Sequence, residues 1–447
     1  MKSFWEKTVS LPLREPLRGN RRVDVAVIGA GMTGILTAWF LKQKGARVLV
    51  LESGRTGLGS TAHTTAKVTS QHGRIYEKLI RRFGPEVAGK YGELQEIALE
   101  AYEKLIREKG IDCHWERRPA YVYTRENPAR LIREARAAAK LGLPACFTDR
   151  TELPFEVAGA VRFERQAQFH PLEFLKSMAD EVEVCENTWV RGVQGRQIFT
   201  DRGTVIAGQT VMASHYPFQN CPGYFFLREY QKKSCLLALK GAGKMEGMYI
   251  GDEGDAYSFR SFQEFLFVGG EGSRTGKNPN GLSKLREAAG TWYPKSRVAA
   301  AWVNQDGVTV DGLPYVGRYS KKTPNLYVAS GYGKWGMTNA MAAALLLSRE
   351  LAGESWDYSG VFSPGRRIAP GAFGEWLSHA YESAVGLGTG LFFPKIGRKN
   401  AAYSGGKKCS HLGCKLTWNE EEGVYECPCH GSRFDKNGRR LSGPAPK

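Results

Sequence analysis

The sequence predicts an α/β protein of two or three domains, with a small metal-binding domain at its C-terminus. Three observations carry this prediction. The chain has 447 residues, which is enough for more than one hydrophobic core. A strand, a glycine-rich turn, a helix and a second strand follow one another near the N-terminus. Paired cysteines and histidines crowd the C-terminal tail.

The N-terminal motif is typical of a dinucleotide-binding unit. The predicted elements are a strand at 23–28, a turn at 29–34, a helix over 35–44 and a strand at 47–51. Gly29, Gly31 and Gly34 permit a tight turn and a close approach of the backbone to a pyrophosphate, which the amides of the helix N-terminus bind. Glu52 ends the second strand and can accept hydrogen bonds from a ribose. In this context the glycine spacing is specific.

The tail contains Cys409-Ser-His411 and Cys427-Pro-Cys429-His430. Two thiolates and two imidazoles suit a 2Fe-2S cluster in which histidines replace cysteines on one iron. A structural zinc site is the alternative, since two cysteines and two histidines also satisfy tetrahedral zinc. Zinc fingers, however, usually place both cysteines before both histidines.

This tail resembles the Rieske domain family. The ligand positions of the family fall on Cys409, His411, Cys427 and His430. The resemblance also implies a disulfide between Cys414 and Cys429, which would join the two ligand loops. In the family the fold continues for one or two strands after the position of Pro444, whereas this sequence stops at Lys447. Either the cluster domain is truncated or the sequence is a fragment, and both alternatives stay open.

The loop after the second strand favours FAD over NAD. It runs from Gly57 to Lys67 and is rich in small and hydroxyl residues. It resembles the loop that wraps the flavin phosphates and lines the flavin ring in the D-amino acid oxidase/glycine oxidase-like family. The resemblance implies cofactor contacts from Ser60, Thr61, His63 and Lys67. His63 is either a histidine covalently joined to FAD, as in dimethylglycine and sarcosine dehydrogenases, or a plain loop residue.

The same resemblance implies a Rossmann-like FAD-binding domain interrupted by an α+β substrate domain. The expected boundaries are 1–75, 166–222 and 306–355 for the FAD-binding domain, 76–165 and 223–305 for the substrate domain, 356–400 for a linker with one short helix, and 401–447 for an all-β Rieske domain. Apolar residues at helical spacing predict helices over 84–109 and 129–141, and a strand is predicted at 120–124.

Further FAD contacts are implied at the residue matching Val190, through its backbone to the adenine, and in a final glycine-rich motif. The members of that motif are Gly331, Lys334, Gly336, Met337 and Thr338. A helix that starts there would point its amides at the flavin N1–C2 carbonyl edge, where negative charge collects on reduction. Lys334 either adds positive charge there or is a surface lysine.

Three residues are candidates for the catalytic site. Arg260 and Tyr257 belong to a predicted hairpin over 255–260 and 265–270 that roofs the substrate pocket in the family. A guanidinium fork matches the two oxygens of a substrate carboxylate. A structural or exposed arginine is the alternative. Lys334 is the third candidate.

The composition limits the kinds of molecule that the protein is expected to bind. The net charge of +18 permits an acidic substrate or an acidic redox partner, and no nucleic-acid motif accompanies it. The sequence has no run of eighteen apolar residues, so we predict no transmembrane span. Residues 1–22 lack the apolar core of a signal peptide, and a cytoplasmic location is the expectation.

Together these resemblances imply an FAD-dependent dehydrogenase. It would oxidise an amine or amino-acid-like substrate by hydride transfer to FAD and pass electrons singly to a Rieske 2Fe-2S cluster. The cluster would hand them to an external one-electron acceptor, either a protein or a quinone. Two alternatives stay open: a redox relay or sensor without a small substrate, and a plain flavin oxidase that uses oxygen.

Overall fold

The fold is taken from a computed structural model, which describes residues 1–252, 256–390 and 407–446. The helices are α1 Phe4–Thr8, α2 Met32–Gln43, α3 Ser60–His63, α4 Tyr76–Phe83, α5 Pro85–Lys109, α6 Ala129–Lys140, α7 Pro171–Ala179, α8 Gly281–Trp292, α9 Gly336–Leu351, α10 Ser359–Phe362 and α11 Phe373–Gly390. The strands are β1 Arg21–Ile28, β2 Val48–Leu51, β3 Lys67–Val68, β4 Glu116–Thr124, β5 Ala145–Thr148, β6 Gly159–Gln168, β7 Glu183–Cys185, β8 Val190–Gln194, β9 Gln197–Thr200, β10 Thr204–Met212, β11 Glu229–Lys240, β12 Met248–Gly251, β13 Ser258–Phe262, β14 Phe265–Arg274, β15 Arg297–Thr309, β16 Tyr315–Ser320, β17 Thr323–Ser330, β18 Thr417–Asn419, β19 Val424–Glu426, β20 Arg433–Asp435 and β21 Arg440–Ser442.

The first sheet is Rossmann-like. Its strands lie in the order β16-β17-β10-β1-β2-β7, with β9 beside β10 and β8 beside β9. Strand β1 pairs in parallel with β2 and β10, which confirms the predicted strand–turn–helix–strand unit. The apolar second half of β1 is buried, and α2 and α9 pack on each other beside this sheet. Its carboxyl edge therefore carries the glycine-rich turn.

The second sheet has nine strands and draws on two separate stretches of the chain. Its order is β15-β11-β14-β13-β12-β4-β6-β3, with β5 beside β6. The pairs are antiparallel apart from β12 with β4. The predicted helices are confirmed as α5 and α6, and the predicted strand at 120–124 is the second half of β4.

The third sheet is a small antiparallel meander of β18, β19, β20 and β21. It carries the cysteine and histidine loops at one end and docks on the second sheet. The molecule thus combines a mixed α/β body with a small C-terminal β domain, as the sequence predicts. Among the helices in the described parts of the chain, none is both long and apolar enough to cross a bilayer.

The prediction of a linker with one short helix was wrong. Helix α11 runs for 18 residues over Phe373–Gly390, and α10 precedes it. Glycines and prolines weaken the helical signal in the sequence, but tertiary contacts compensate. The backbone of Gly386 lies against the disulfide of the third sheet, and His379 is buried between the two domains. The apolar stretch 391–393, also expected in the linker, lies outside the described residues.

Candidate functional site

The glycine-rich turn has the geometry that a pyrophosphate requires. Gly29 has a φ of 109°, and a Cβ there would lie 2.5 Å from the Ala213 carbonyl oxygen. A Cβ on Gly34 would collide with the Gly29 carbonyl oxygen, so the third glycine allows α2 to pack closely on the turn. Gly31 is the N-cap of α2, and no side chain of the cap residue closes the helix end. Apart from the Met32 amide, which donates to Thr61 Oγ1, the first-turn amides are expected to face an anion.

Glu52 lies at the end of β2, where a ribose is expected. Its carboxylate accepts hydrogen bonds from the amides of Ala30 and Gly54, both at 2.8 Å. Burial raises the pKa of Glu52, and these hydrogen bonds oppose that shift. The Thr188 amide donates to the Glu52 carbonyl oxygen at 2.8 Å. Val190, expected beside the adenine, therefore starts β8 close to the same edge of the sheet.

Three buried side chains donate hydrogen bonds to the backbone of the loop that is expected to wrap the flavin. Trp302 Nε1 donates to the His63 carbonyl at 2.9 Å, and Trp5 Nε1 donates to the Thr64 carbonyl at 2.7 Å. Arg260 Nη1 donates to the carbonyls of both Thr65 and Ala66, at 2.5 and 2.9 Å. The backbone of this loop is thereby fixed.

Arg260 and Tyr257 are not brought together. Arg260 is fully buried among the rings of Trp5, Phe262 and Phe267, and burial lowers its pKa to about 9. Tyr257 packs against Trp292 in a separate hydrophobic cluster between the second sheet and α8. Its hydroxyl donates to Glu271 at 3.2 Å. Arg260 and Tyr257 thus have different neighbours, and Arg260 supports the loop backbone through Nη1.

The side chains of the loop point to several neighbours. Thr61 Oγ1 accepts from the Met32 amide at 3.0 Å, which joins the loop to the start of α2. His63 Nδ1 lies 2.8 Å from the Gly59 carbonyl oxygen, and its Nε2 lies 3.7 Å from a Glu6 carboxylate oxygen. A covalent bond to FAD at Nδ1 would break the contact with the Gly59 carbonyl, whereas a bond at Nε2 would leave that contact in place.

Ser60 and Lys67 complete the loop. Ser60 Oγ lies 3.1 Å from Nδ1 of His215, whose Nε2 is buried without a partner among the described residues. Burial lowers the pKa of His215 to about 4. Lys67 Nζ donates to the Tyr249 carbonyl at 2.9 Å, and burial lowers its pKa to about 7. No motif in the sequence pointed to His215, which follows β10.

The final glycine-rich motif forms the start of α9. Gly336 is the first residue of the helix, and Gly331 has a φ of 76°. Thr338 Oγ1 donates to the Thr69 carbonyl at 2.9 Å and accepts from the Thr69 amide at 2.8 Å. Tyr102 donates to the Met337 carbonyl at 3.0 Å. These bonds set the direction of the helix N-terminus.

Lys334 lies within electrostatic reach of Lys232 and Asp306. A Cβ at Gly272 on β14 would lie 3.0 Å from Lys334 Nζ, which places the ammonium over the second sheet. Desolvation by surrounding protein atoms lowers the pKa of Lys334, although the residue is partly exposed to solvent, and Asp306 opposes that shift. Burial raises the pKa of Asp306 to about 6, while Lys334 and Asn304 oppose it. Burial and then Lys334 lower the pKa of Lys232.

Sequence reasoning missed Asp306 and Lys232, because they lie on different strands. They are paired neighbours on β15 and β11, so their register could be known only from the folded sheet. The sequence indicated these two residues only through their positions in strands in which polar and apolar residues alternate. We call Lys232, Asp306 and Lys334 the charged surface.

The four expected cluster ligands come together at one end of the third sheet. Cys409, Cys427 and His430 are fully buried, and the two thiols lie within hydrogen-bonding reach of each other. The rings of His411 and His430 have centroids 5.1 Å apart. Nδ1 of each ring is buried with no partner among the described residues. Two thiols and two unpaired imidazole nitrogens are the donor set of a Rieske cluster, so these residues fit it.

The far nitrogens of both rings contact the segment between β10 and β11. His411 Nε2 lies 2.8 Å from Asn220 Oδ1, and His430 Nε2 donates to the Phe226 carbonyl at 3.1 Å. Such bonds fix the tautomer and orientation of a metal-binding histidine. Cys414 and Cys429 form the disulfide that the resemblance implied.

Further contacts fix the cluster domain to the body of the molecule. Arg274 donates to the carbonyls of Pro428 and Cys429, at 2.6 and 3.0 Å, and to His379 Nδ1 at 3.0 Å. His379 Nε2 donates to the Phe226 carbonyl at 2.9 Å. The second ligand loop is therefore held by β14 and α11 together.

Comparison with known proteins supports an FAD-binding body that is followed by a Rieske domain. The family model for FAD dependent oxidoreductases of the DAO type matches residues 24–350, and the Rieske [2Fe-2S] domain model matches residues 384–447. The chain is 31% identical over 490 aligned positions to the putative Rieske 2Fe-2S iron-sulfur protein YhfW of Bacillus subtilis, covering 100% of this chain and 96% of that protein. The crystal structure of glycine oxidase from Geobacillus kaustophilus has 19% identity and a TM-score of 0.65, and the match covers 78% of this chain and 100% of that one.

Proposed function

Since the chain belongs to the FAD dependent oxidoreductase family and carries a Rieske domain, we propose that it is a dehydrogenase that oxidises an amine or amino acid and passes the electrons to its own cluster. Its cofactors are FAD and a Rieske-type 2Fe-2S cluster. The observation that carries the proposal is the contact of both histidine ligands with Asn220 and Phe226.

This contact supports an internal electron path. The segment with Asn220 and Phe226 joins β10 of the Rossmann-like sheet to β11 of the second sheet. It covers the imidazole edge of the cluster site with residues of the same chain. The contact of this edge with the body of the same chain supports FAD as the electron donor of the cluster. FAD, when bound, accepts two electrons as a hydride and can release them singly.

The charged surface supports an amino acid as substrate. Lys232 and Lys334 offer positive charge to a carboxylate, and Asp306 offers negative charge to an ammonium group. These groups stand beside the start of α9, where the flavin carbonyl edge is expected. Solved structures of this fold include a glycine oxidase and an L-proline dehydrogenase, whose names favour the same class of substrate. A relay without a substrate would not need such a surface.

The proposal includes an external one-electron acceptor, either a protein or a quinone. The net charge of +18 favours an acidic protein over a neutral molecule, because opposite charge speeds encounter. The cytoplasmic location expected from the sequence belongs to the same proposal.

The test is an anaerobic screen of amines and amino acids against the purified holoprotein. A substrate should bleach the flavin absorbance and, in the same sample, produce the EPR signal of a reduced Rieske cluster. A Cys409→Ser variant is the control, since it should bleach with substrate but give no cluster signal. Flavin that is reduced beside a cluster that stays oxidised would contradict the electron path. Bleaching by a reductase protein and by no small molecule would favour the relay.

A further inference from the structure

The last strand of the cluster domain lies against the FAD-binding side of the molecule. Ser442 Oγ on β21 donates to Gln305 Oε1 at 2.9 Å, and Gln305 Nε2 donates to the Gly431 carbonyl at 3.0 Å. The Gln305 carbonyl accepts from Ser60 of the flavin loop at 3.4 Å. A single residue of β15 therefore connects the cluster domain with the loop expected to wrap FAD.

Arg440 begins the same strand and reaches over Trp189. Its Cζ lies 3.8 Å from the centroid of the Trp189 ring, and its Nη1 donates to the Gly443 carbonyl at 2.6 Å. Its Nε is buried and has no hydrogen-bond partner among the described residues. Burial lowers the pKa of Arg440 to about 10, and the Glu52 carboxylate opposes that shift. The guanidinium is therefore within electrostatic reach of Glu52.

These neighbours define what Arg440 can bind. Trp189 directly precedes Val190, whose backbone is expected at the adenine, and Glu52 is expected at the ribose. Arg440 stands beside both positions. A guanidinium fork matches phosphate oxygens, and its planar face stacks on aromatic rings. An adenosine phosphate offers both groups, so it suits the unpaired Nε and the planar guanidinium of this side chain.

We propose that Arg440 of the Rieske domain binds the AMP half of FAD, so that the cluster domain completes the dinucleotide site. FAD then binds tightly only when the cluster domain is docked. By linkage, bound FAD stabilises the docked arrangement by the same factor. This inference goes beyond the proposed function, because it concerns the retention of FAD and holds whatever the substrate is.

The test compares Arg440→Gln with Arg439→Gln, a matched control whose side chain is exposed one residue earlier. Full-length holoprotein of each variant is diluted serially, and free flavin in the ultrafiltrate gives the dissociation constant of FAD. We expect Arg440→Gln to weaken FAD binding by about tenfold or more, as loss of a charge-assisted contact does. The control should match the wild type, and iron content should be equal in all three proteins.

A melting experiment separates binding from a merely structural role. Stripped of FAD, the Arg440→Gln protein lacks the contacts with Trp189 and Gly443 and should melt slightly below the wild type. Added FAD should raise its melting temperature by less than it raises that of the wild type. Arg440→Lys keeps the positive charge but lacks the forked guanidinium. Its rise in melting temperature on addition of FAD should therefore lie between those of the wild type and Arg440→Gln. Wild-type retention of FAD by Arg440→Gln would overturn the proposal. So would an equal loss of melting temperature with and without FAD.

Discussion

Four hydrogen bonds hold the carbonyls of residues 63–66, and Arg260 supplies two of them. Its guanidinium is fully buried, with the rings of Trp5, Phe262 and Phe267 at 5.3–5.5 Å from Cζ. Aromatic faces offset part of the cost of burying a cation. Arg260 therefore holds the backbone of this loop through Nη1, while its Nε and Nη2 are buried without a partner among the described residues.

We expect Arg260→Met to lower the free energy of unfolding by about 2–4 kcal/mol, because it leaves the Thr65 and Ala66 carbonyls buried and unpaired. Chemical denaturation measures this loss, and the FAD content of the purified protein should fall with it. Arg297→Met is the control, since Arg297 is exposed on the same sheet and its loss should change stability by about 0.5 kcal/mol or less. A raised KM at unchanged stability would instead place Arg260 in the substrate site.

The parts of the site that the sequence predicted are those carried by local motifs. The glycine turn, Glu52 and the four cysteine and histidine positions each lie within a short stretch whose spacing has a physical reason. His215, Asp306 and Arg440 gave no such signal. Each comes from a separate element and meets the site only through sheet pairing or domain docking, so its neighbours cannot be inferred from spacing.

Among the elements, α11 shows how tertiary contact overrides local propensity. A Cβ at Gly386 would collide with Cys429 Sγ, so the glycine lets the helix backbone touch the disulfide. The Gly386 carbonyl accepts from the Lys415 amide at 3.1 Å. Strand β1 and helix α2 were predictable from an apolar run followed by the glycine motif, and α5 was predictable from the helical spacing of its apolar residues. Helix α11 was not, since its glycines weaken the helical signal and its support comes from another domain.

We expect Gly386→Ala to destabilise the cluster domain by about 1–3 kcal/mol, because the added methyl group overpacks the contact with Cys429. Gly388→Ala is the control in the same helix, since a Cβ there meets open space, and it should be neutral or stabilising by up to about 1 kcal/mol. Both effects are measured by incubating the reduced protein at rising temperatures and recording how much of the Rieske EPR signal remains in samples frozen afterwards. Equal stability of the two variants would mean that α11 does not press on the disulfide.

At the scale of the whole molecule, a buried charge network joins the second sheet to the cluster domain. Lys233 Nζ on β11 lies 2.8 Å from Glu422 and 3.1 Å from Glu426, and Arg433 also pairs with both carboxylates. Burial lowers the pKa of Lys233, but Glu426 and Glu422 outweigh it and raise that pKa above its usual value. The ammonium therefore stays charged, and its ion pairs with Glu422 and Glu426 stabilise the docked position of the cluster domain.

Removal of Lys233 should undock the cluster domain. Among the described residues, Lys233→Met leaves the two buried carboxylates with Arg433 as a cation and with Asn419 and the Gly276 amide as neutral donors. A broken buried pair costs about 3–5 kcal/mol. Lys240→Met is the matched control on the same strand, because its pair with Glu264 is exposed and contributes about 0–1 kcal/mol. Hydrogen exchange of the β19 amides in the holoprotein measures docking, and the rate at which the reduced flavin passes electrons to the cluster measures its consequence. Faster exchange together with slower transfer in Lys233→Met alone is the expected result, since transfer depends on how closely the histidine edge approaches the flavin domain. Unchanged exchange in that variant would show that the histidine, Arg274 and Gln305 contacts hold the domain without the network.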